Sequence, residues 1–273
     1  MKDIAYLCTM KRKLLHIRSL AVITMLLLVR AAVVRVFVTD RFIVRGRSMS
    51  PTLVDGEAVY VDKTVYGARI YSNYDFDEPV LKCFRIPGRR RPRCSDVVLF
   101  NYPFGRDREK IEFKINYVYI KRCIGCPGDS VSIRGGRYIN NHVPGGFPEI
   151  QGQDLMRSIP DSLTGYAYGC FPNDPLVTWS VKEFGPVLVP GKGIQVALDP
   201  FHAALYRYVI EYETGILPEE RDGSIWLDGE PVATYTFRDN YYFMAGDNAL
   251  DSRDSRYFGF VPEDFIIGLL PGK

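Results

Sequence analysis

The chain has 273 residues, a length that can bury a full hydrophobic core in one elaborate domain or in two. Aromatic residues make up 13% of it and prolines number 18, which favours a β-rich protein with many loops. The net charge of +3 is small, but residues 1–47 hold ten Lys and Arg against two Asp. Because this basic excess surrounds an apolar segment, it indicates membrane topology and argues against nucleic-acid binding.

The apolar segment from Leu20 to Val38 is predicted to be a transmembrane anchor. Its length is close to the roughly 20 residues that a helix needs to cross a bilayer, although Thr24, Arg30 and Arg35 interrupt it. Both arginines lie towards its C-terminal end, where a guanidinium group can reach the interface. The basic residues within 1–19 favour a cytoplasmic N-terminus. A cleaved secretory peptide is the alternative, and it is disfavoured because no small-x-small cleavage site followed by a polar stretch is present.

Strands separated by Gly and Pro turns are predicted for most of the remaining chain. One soluble helix is predicted at Pro200–Thr214, with Asp199 as its cap and Gly215 ending it. Residues 141–175 show little periodicity and are predicted to form an inserted loop region. The predicted strands are 42–44, 57–61, 96–102, 115–123, 130–134, 137–140, two within 185–198, then 224–227, 231–237 and 241–245.

Two segments carry candidate chemistry. Ser48 lies in the turn-prone run Gly46–Leu53, and Lys121 lies within an apolar strand. A serine hydroxyl needs a base to become a nucleophile. A lysine can be that base only if its pKa falls well below about 10.4, and burial lowers the pKa of an amine. On chemistry alone Ser50 competes with Ser48, and Lys121 could instead face solvent beside Tyr119.

Other site chemistries find less support in the sequence. Cys83 and Cys94 flank a basic loop and could form a disulfide in an oxidising compartment. Cys123 and Cys126 form a Cys-x-x-Cys, but a zinc ribbon needs a second pair, which Cys170 alone does not supply. Small buried residues are therefore favoured over a metal site, and neither metal nor cofactor is predicted. No motif contains any of the three histidines, His16, His142 and His202.

Four blocks resemble, in the same order, motifs of the bacterial type I signal peptidases, membrane-bound serine proteases that use a Ser-Lys dyad. The blocks are Gly46–Leu53, Ser95–Phe100, Tyr119–Asp129 and Gly246–Gly259. The resemblance covers about residues 20–273 and is loose between 138 and 237. It implies that Ser48 is the nucleophile and Lys121 the general base. It also places Gly46 in the oxyanion region, where many members have a serine.

The resemblance assigns supporting roles in the C-terminal block. Ser252 takes the position of a hydroxyl that orients the lysine amine. Asp254 and Arg256 are expected to hold this loop in place behind the lysine. Where the family commonly has an arginine, this chain has Ala249-Leu250. Arg256 or Arg253 is expected to take over as the partner of Asp254.

The fold that the resemblance implies is mainly β, with an antiparallel β catalytic core and an inserted second lobe behind one N-terminal transmembrane helix. The predicted divisions are a cytoplasmic N-terminus at 1–19, the anchor at 20–38, the catalytic core at 39–137 and 238–273, and the inserted lobe at 138–237.

The expected function is removal of signal peptides from exported precursors at small-x-small sites. Secretory precursors, the lipid bilayer and the translocation machinery are the expected partners. The expected location is the bacterial cytoplasmic (inner) membrane, with a single pass and the catalytic domain on the outer, periplasmic side. Two alternatives stay open: a non-catalytic membrane-anchored binding protein of the same fold, and a Ser-Lys peptidase dedicated to one substrate.

Overall fold

The computed structural model describes residues 2–72, 83–104, 110–160 and 169–273. Within them the helices are α1 Lys2–Phe37, α2 Lys63–Tyr66, α3 Gln153–Ser158, α4 Pro200–Thr214 and α5 Ser255–Phe258, with a 3₁₀ turn at Glu263–Phe265. The strands are β1 Thr39–Ile43, β2 Ala58–Asp62, β3 Arg69–Tyr71, β4 Cys83–Arg85, β5 Val97–Asn101, β6 Val118–Gly125, β7 Ser130–Arg134, β8 Arg137–Asn140, β9 Phe184–Leu188, β10 Gln195–Ala197, β11 Glu219–Arg221, β12 Ser224–Leu227, β13 Glu230–Val232, β14 Thr234–Thr236, β15 Tyr241–Ala245, β16 Val261–Pro262 and β17 Ile266–Leu270.

Helix α1 contains the predicted anchor and begins well before it. The part from Lys13 to Phe37 is long and apolar enough to cross a membrane, with a mean hydropathy of 2.3 and none of it buried against the rest of the chain. Strand β1 begins two residues after the helix ends. Lys63 also donates a hydrogen bond to the carbonyl oxygen of Arg35 at 2.8 Å. The first strand of the sheet therefore starts where the apolar helix stops.

A curled antiparallel sheet of seven strands forms the centre of the fold, in the order β1-β2-β17-β5-β6-β15-β16. The prediction of a mainly β, antiparallel protein is therefore confirmed. Strands β5 and β15 are buried along their whole length, because other parts of the chain cover both faces of the sheet there. Strand β6, which carries Lys121, lies between these two strands.

A smaller sheet, in the order β8-β7-β9, packs beside the first. The predicted boundary at residue 138 falls inside the β7–β8 hairpin, so strands from both sides of it share this sheet. The two sheets also share one hydrophobic core: the rings of Phe184 and Phe243 lie 5.5 Å apart between their centroids. The division of the chain into a catalytic core and an inserted lobe stays a prediction.

Local signals placed several elements correctly. Helix α4 has its predicted bounds: Asp199 accepts a hydrogen bond from the His202 N–H at 2.8 Å, and Gly215 ends the helix at a φ of 77°. The strand predicted at 231–237 is wrong, because β13 pairs with β12 whereas β14 pairs with β10. Within 141–175, a region predicted to be loop, residues 153–158 form α3, and residues 161–168 lie outside the described residues.

Candidate active site

Ser48 lies in the loop that joins β1 to β2. Two apolar side chains on this loop, Met49 and Leu53, are 2% and 0% exposed and pack in a small core beneath it. The backbone N–H of Leu53 also donates to the carbonyl oxygen of Met49 at 2.9 Å. These contacts fix the turn and leave the side chain of Ser48 only partly buried. Met49 also lines the site, although its own surface is almost entirely covered.

Lys121 lies in the middle of β6, opposite Val98 of β5, and only 4% of it is exposed. Its Nζ donates a hydrogen bond to Ser48 Oγ, so the two residues are in direct contact across 73 positions of sequence. The alternative of a solvent-facing lysine is thereby excluded. Burial lowers the pKa of Lys121 to about 8, even though the charge of Asp254 acts in the opposite direction.

The loop that follows β15 holds the Ser48 turn from the other side. The backbone N–H of Asn248 donates to the carbonyl oxygen of Ser48 at 3.1 Å, and its side-chain amide donates to that of Arg47 at 3.3 Å. Gly246 packs so closely that a Cβ there would overlap the Ser48 carbonyl oxygen and Ser252 Oγ. Only glycine fits this crossing of two loops.

Ser252 is buried beside Gly246, but no hydrogen bond joins it to Lys121 in the described part of the chain. Its hydroxyl lies near enough to Asp254 to contribute to the low pKa of that carboxyl group, yet Oγ makes no hydrogen bond of normal geometry to any described atom. The structure therefore places Ser252 next to the Ser48 turn without the contact to the amine that the resemblance implies.

Asp254 and Arg256 form a buried ion pair, with contacts of 2.7 Å to Oδ1 and 2.9 Å to Oδ2. Burial opposes ionisation of Asp254, but the charge and hydrogen bonds of Arg256 hold the pKa of the carboxyl group below its ordinary value. Asp254 also accepts the Gly246 N–H at 3.0 Å. Of the two arginines proposed to replace the family's, Arg256 is thus the partner, whereas Arg253 donates to the hydroxyl of Tyr102 at 2.5 Å.

A second buried ion pair was missed by the sequence analysis. Arg122 binds Asp247 through two parallel hydrogen bonds of 2.7 and 2.6 Å, and it donates a third to the carbonyl oxygen of Ser95 at 2.6 Å. Thr52, in the Ser48 loop, donates to the same carboxylate at 2.5 Å. The only sequence signal was a basic residue in an apolar strand, directly after Lys121. This network ties β6, the Ser48 loop and the Gly246 loop together.

Donors for a developing negative charge lie at the Ser48 turn. Within the described residues no acceptor is hydrogen-bonded to the backbone N–H of Ser48, so it can donate to a bound carbonyl oxygen. The N–H of Gly46 is already used, because it donates to Asp55 Oδ1 at 2.8 Å. The φ of Gly46 is 81°, a conformation that favours glycine, and no atom would touch a Cβ there.

The two candidate residues lie on the wall of an open groove of about 710 Å³. Its walls are residues 42–49 and 115–121, and Leu99, Asp251 and Arg253 complete the lining. Strand β1 is an edge strand of the sheet, and residues 118–121 pair with β5 alone. Both walls therefore present unpaired backbone groups to an extended chain.

Among the residues whose side chains the structure describes, no histidine or cysteine lines this groove. His142 contacts Asp129 and His202 contacts Asp199, both away from Ser48. Cys83 and Cys94 are not bridged in the structure; Cys94 instead lies with Cys123 and Cys126, and these three sulfur atoms are within 4.8 Å of one another.

Comparisons with known proteins agree with this geometry. The family model of the signal peptidases, peptidase S26, matches residues 17–164 and 211–271. Signal peptidase I of Pseudomonas aeruginosa is 28% identical over 245 residues, covering 88% of this chain and 63% of that protein. Those of Buchnera aphidicola subsp. Baizongia pistaciae and Helicobacter pylori strain 26695 are 25% and 26% identical, with 89% and 85% of this chain covered and 71% and 73% of theirs.

A crystal structure of a signal peptidase I from Enterococcus faecalis V583 is 20% identical, with a TM-score of 0.31, and covers 66% of this chain and 97% of that one. This likeness is too low to bear on the fold. The chain spans somewhat under two thirds of the length of the Pseudomonas relative.

Proposed function

The chain belongs to the signal peptidase family, peptidase S26, and on that premise we propose that it is a membrane-anchored serine endopeptidase that removes signal peptides from exported precursors. The observation that carries the proposal is the hydrogen bond from Lys121 Nζ to Ser48 Oγ inside a site where the lysine is almost fully buried. A hydroxyl beside a desolvated amine is a nucleophile with its base.

Lys121 acts as the general base in the proposed mechanism. With a pKa of about 8, roughly a tenth of the Lys121 side chains are neutral at pH 7. At lower pH, this neutral fraction falls about tenfold for each pH unit. The neutral amine accepts the proton of Ser48 Oγ as that oxygen attacks the scissile carbonyl. The protonated amine then gives this proton to the leaving nitrogen, which leaves an acyl-enzyme. The amine next takes a proton from the water that hydrolyses the ester.

The negative charge that develops on the carbonyl oxygen is stabilised by the backbone N–H of Ser48, which has no other acceptor among the described residues. Gly46 contributes here by shaping the turn, since its own N–H is held by Asp55. Removal of one such donor in other acyl-transfer enzymes lowers kcat by about 10²–10³-fold.

Ser252, Asp254 and Arg256 are positioning residues in this proposal. The Asp254–Arg256 pair fixes the loop behind Lys121, and the charges of its two members act on the lysine pKa in opposite directions. Ser252 is buried beside the turn, and the role proposed for it is to orient the neutral amine. Substitution Ser252→Ala tests this role through kcat and its pH profile, and an unchanged profile would contradict it.

The substrate is an extended peptide in the groove between residues 42–49 and 115–121. Edge backbone on both walls can hydrogen-bond such a chain, as in other cases of strand addition. The partly apolar lining suits small side chains at the −1 and −3 positions. The substrates are signal-peptide-bearing precursors, cleaved at small-x-small sites.

The membrane arrangement follows from helix α1. Its apolar part ends at Phe37, only eleven positions before Ser48, so the site lies close to the membrane surface. The basic residues ahead of the helix favour a cytoplasmic N-terminus, which puts the catalytic domain on the outer side of the bacterial cytoplasmic membrane. Lipid and the translocation machinery are its neighbours in this arrangement.

The test is cleavage of a precursor bearing an Ala-x-Ala site by the full-length protein in detergent. Wild type should cleave at that site, and Ser48→Ala and Lys121→Ala should not. Ser50→Ala is the matched control, because Ser50 competes with Ser48 in sequence but lies outside the dyad, so it should retain activity. Failure of a folded wild type to cleave, or loss of cleavage in Ser50→Ala with retention in Ser48→Ala, would contradict the proposal.

A further inference from the structure

Three thiols converge at the end of β6, outside the groove. Cys126 Sγ lies 3.8 Å from Cys123 Sγ and 3.8 Å from Cys94 Sγ. Cys123 is fully buried, whereas Cys94 and Cys126 are half-buried. The three residues come from two segments that are distant in sequence. We refer to them as the thiol cluster.

Two of the three sulfur–sulfur distances in the thiol cluster match a metal-thiolate site, and the third is within 4.8 Å. In a tetrahedral zinc site with Zn–S bonds of about 2.3 Å, neighbouring sulfurs lie about 3.8 Å apart. Soft thiolate ligands select Zn²⁺ and similar thiophilic ions over Mg²⁺ or Ca²⁺. A disulfide would use only two of the three thiols and leave the third beside it. A metal ion uses all three.

The backbone around the thiol cluster is built to hold the sulfurs in place. Ser95, next to Cys94, has a φ of 70°, a strained conformation for a non-glycine residue. Its N–H donates to the carbonyl oxygen of Cys123 at 2.8 Å, and the Cys123 N–H donates to that of Asp96 at 2.8 Å. These two hydrogen bonds fasten the Cys94 segment directly to β6.

Polar groups around the sulfurs match the outer contacts of a metal-thiolate site. Asn140 donates one hydrogen bond to Cys94 Sγ at 3.5 Å and another to Asp129 Oδ2 at 2.8 Å. Asp129 in turn accepts the backbone N–H of Cys126 at 2.8 Å, and His142 contacts its other oxygen at 2.7 Å. Cys94 Sγ donates to Asp129 Oδ2 at 3.4 Å in this structure, and this is the proton that metal binding would release. Such outer contacts fix the orientation of metal ligands.

We propose that Cys94, Cys123 and Cys126 form a binding site for one thiophilic metal ion of the Zn²⁺ class, with solvent in the fourth position. Cys94 and Cys126 are half-buried, which leaves part of the cluster accessible to an entering ion. The sequence-based prediction gave Cys123 and Cys126 no third ligand, because Cys94 was paired there with Cys83. Since Cys123 lies two positions after Lys121, a bound ion fixes the end of the strand that carries the lysine.

The test uses Zn²⁺ itself on the full-length protein in detergent, purified with reductant and stripped with a chelator. One zinc per chain should bind, measured by elemental analysis and by competition with a chromophoric chelator. Co²⁺ should give thiolate-to-cobalt absorption. Cys94→Ser should weaken zinc binding by more than the roughly 10–100-fold expected for Asn140→Ala, which removes an outer contact. Cys83→Ser and Cys170→Ser are matched controls and should bind as wild type.

Cys123 is buried, so Cys123→Ser can fail to fold; the half-buried Cys94 and Cys126 keep the proposal testable. Wild type that binds no zinc while free-thiol titration shows the cluster reduced would overturn the proposal. Unweakened binding in both Cys94→Ser and Cys126→Ser would overturn it too. So would a Cys123–Cys126 disulfide that forms without reductant and excludes zinc. These readouts do not depend on peptidase activity.

Discussion

Lys121 and Arg122 are neighbours on β6, and both are buried, at 4% and 2% exposure. Their hydrogen-bond partners differ. The Arg122 guanidinium is held by both oxygens of Asp247. Lys121 has a hydroxyl, Ser48 Oγ, as its partner, and it forms no ion pair within the described residues. A buried cation with a carboxylate keeps its charge and holds structure together. One without a carboxylate has a lowered pKa and becomes available as a base.

The largest expected effect is on turnover at Lys121. Replacement by Met keeps most of the side-chain volume and removes the amine, so kcat/KM should fall by about 10²–10⁴-fold, the usual contribution of a general base. The measurement is steady-state cleavage of an Ala-x-Ala peptide. Lys121→Arg is the matched variant: it keeps a charge but cannot give up its proton near neutral pH, and it should be equally inactive. Activity in either variant would place the base elsewhere.

Substitution of Arg122 should lower the stability of the fold, whereas substitution of Lys121 should lower turnover. Arg122→Met leaves Asp247 buried without its partner and should lower the free energy of unfolding by about 3–5 kcal/mol, measured by urea unfolding in detergent. The double variant Arg122→Met/Asp247→Leu removes both charges and should recover much of that loss. If the single and double variants were equally unstable, the guanidinium would matter for packing alone.

Lys121→Met should stabilise the protein at neutral pH. The folded pKa of about 8 lies below the ordinary value of 10.5, so the folded state disfavours the bound proton. At about 1.4 kcal/mol per pKa unit, the gain is on the order of 3 kcal/mol at pH 7. The unfolded chain binds more protons between pH 8 and 10.5, so wild type gains stability as pH rises there and approaches the variant. Equal stability at pH 7 would show that the lysine is not desolvated.

The pH dependence of kcat/KM should report the same pKa. Activity should rise about tenfold per unit up to about pH 8 and level off above it, because the free enzyme needs a neutral amine. The stability of the fold over the same range is the control. A plateau that began near the pKa of histidine, or a rise that continued to pH 10, would contradict Lys121 as the titrating group.

The candidate pair Ser48 and Lys121 was predicted from local signals together with the resemblance, because the local signals alone left Ser50 and a solvent-facing Lys121 open. Ser48 lies in a turn-forming run, and Lys121 lies among residues that build an apolar strand. Their supports could not be found in the same way. Arg122 binds Asp247 across 125 positions of sequence, and no pattern in either segment predicts that the two residues pair. The hydroxyl of Ser252 was placed by resemblance alone, and the structure does not bring it to the amine.

The elements of the fold likewise fall into those that the sequence predicted and those that were missed. Strands β7, β12 and β15 have the predicted bounds, and the cap and the glycine fix both ends of α4. Strand β17 was missed, and its place in the sheet depends on pairing with β2 and β5, which are distant in sequence. The thiol cluster was missed because Cys94 reaches Cys126 through the turn at Ser95, a backbone conformation that the sequence does not signal.

The smallest expected effect is that of a substitution at Thr52, which tests whether the Arg122–Asp247 ion pair influences the pKa of Lys121. Thr52 donates to the carboxylate of Asp247 from the Ser48 loop, so Thr52→Val keeps the shape and removes one hydrogen bond to a charged group. Stability should fall by about 1.5–3 kcal/mol, while the pH at which kcat/KM levels off should stay at that of wild type. A shift of that pH would mean that the Arg122–Asp247 pair sets the pKa of Lys121. An unchanged value with lower stability would mean that this hydrogen bond holds the loop and the strand together without setting the pKa of the amine.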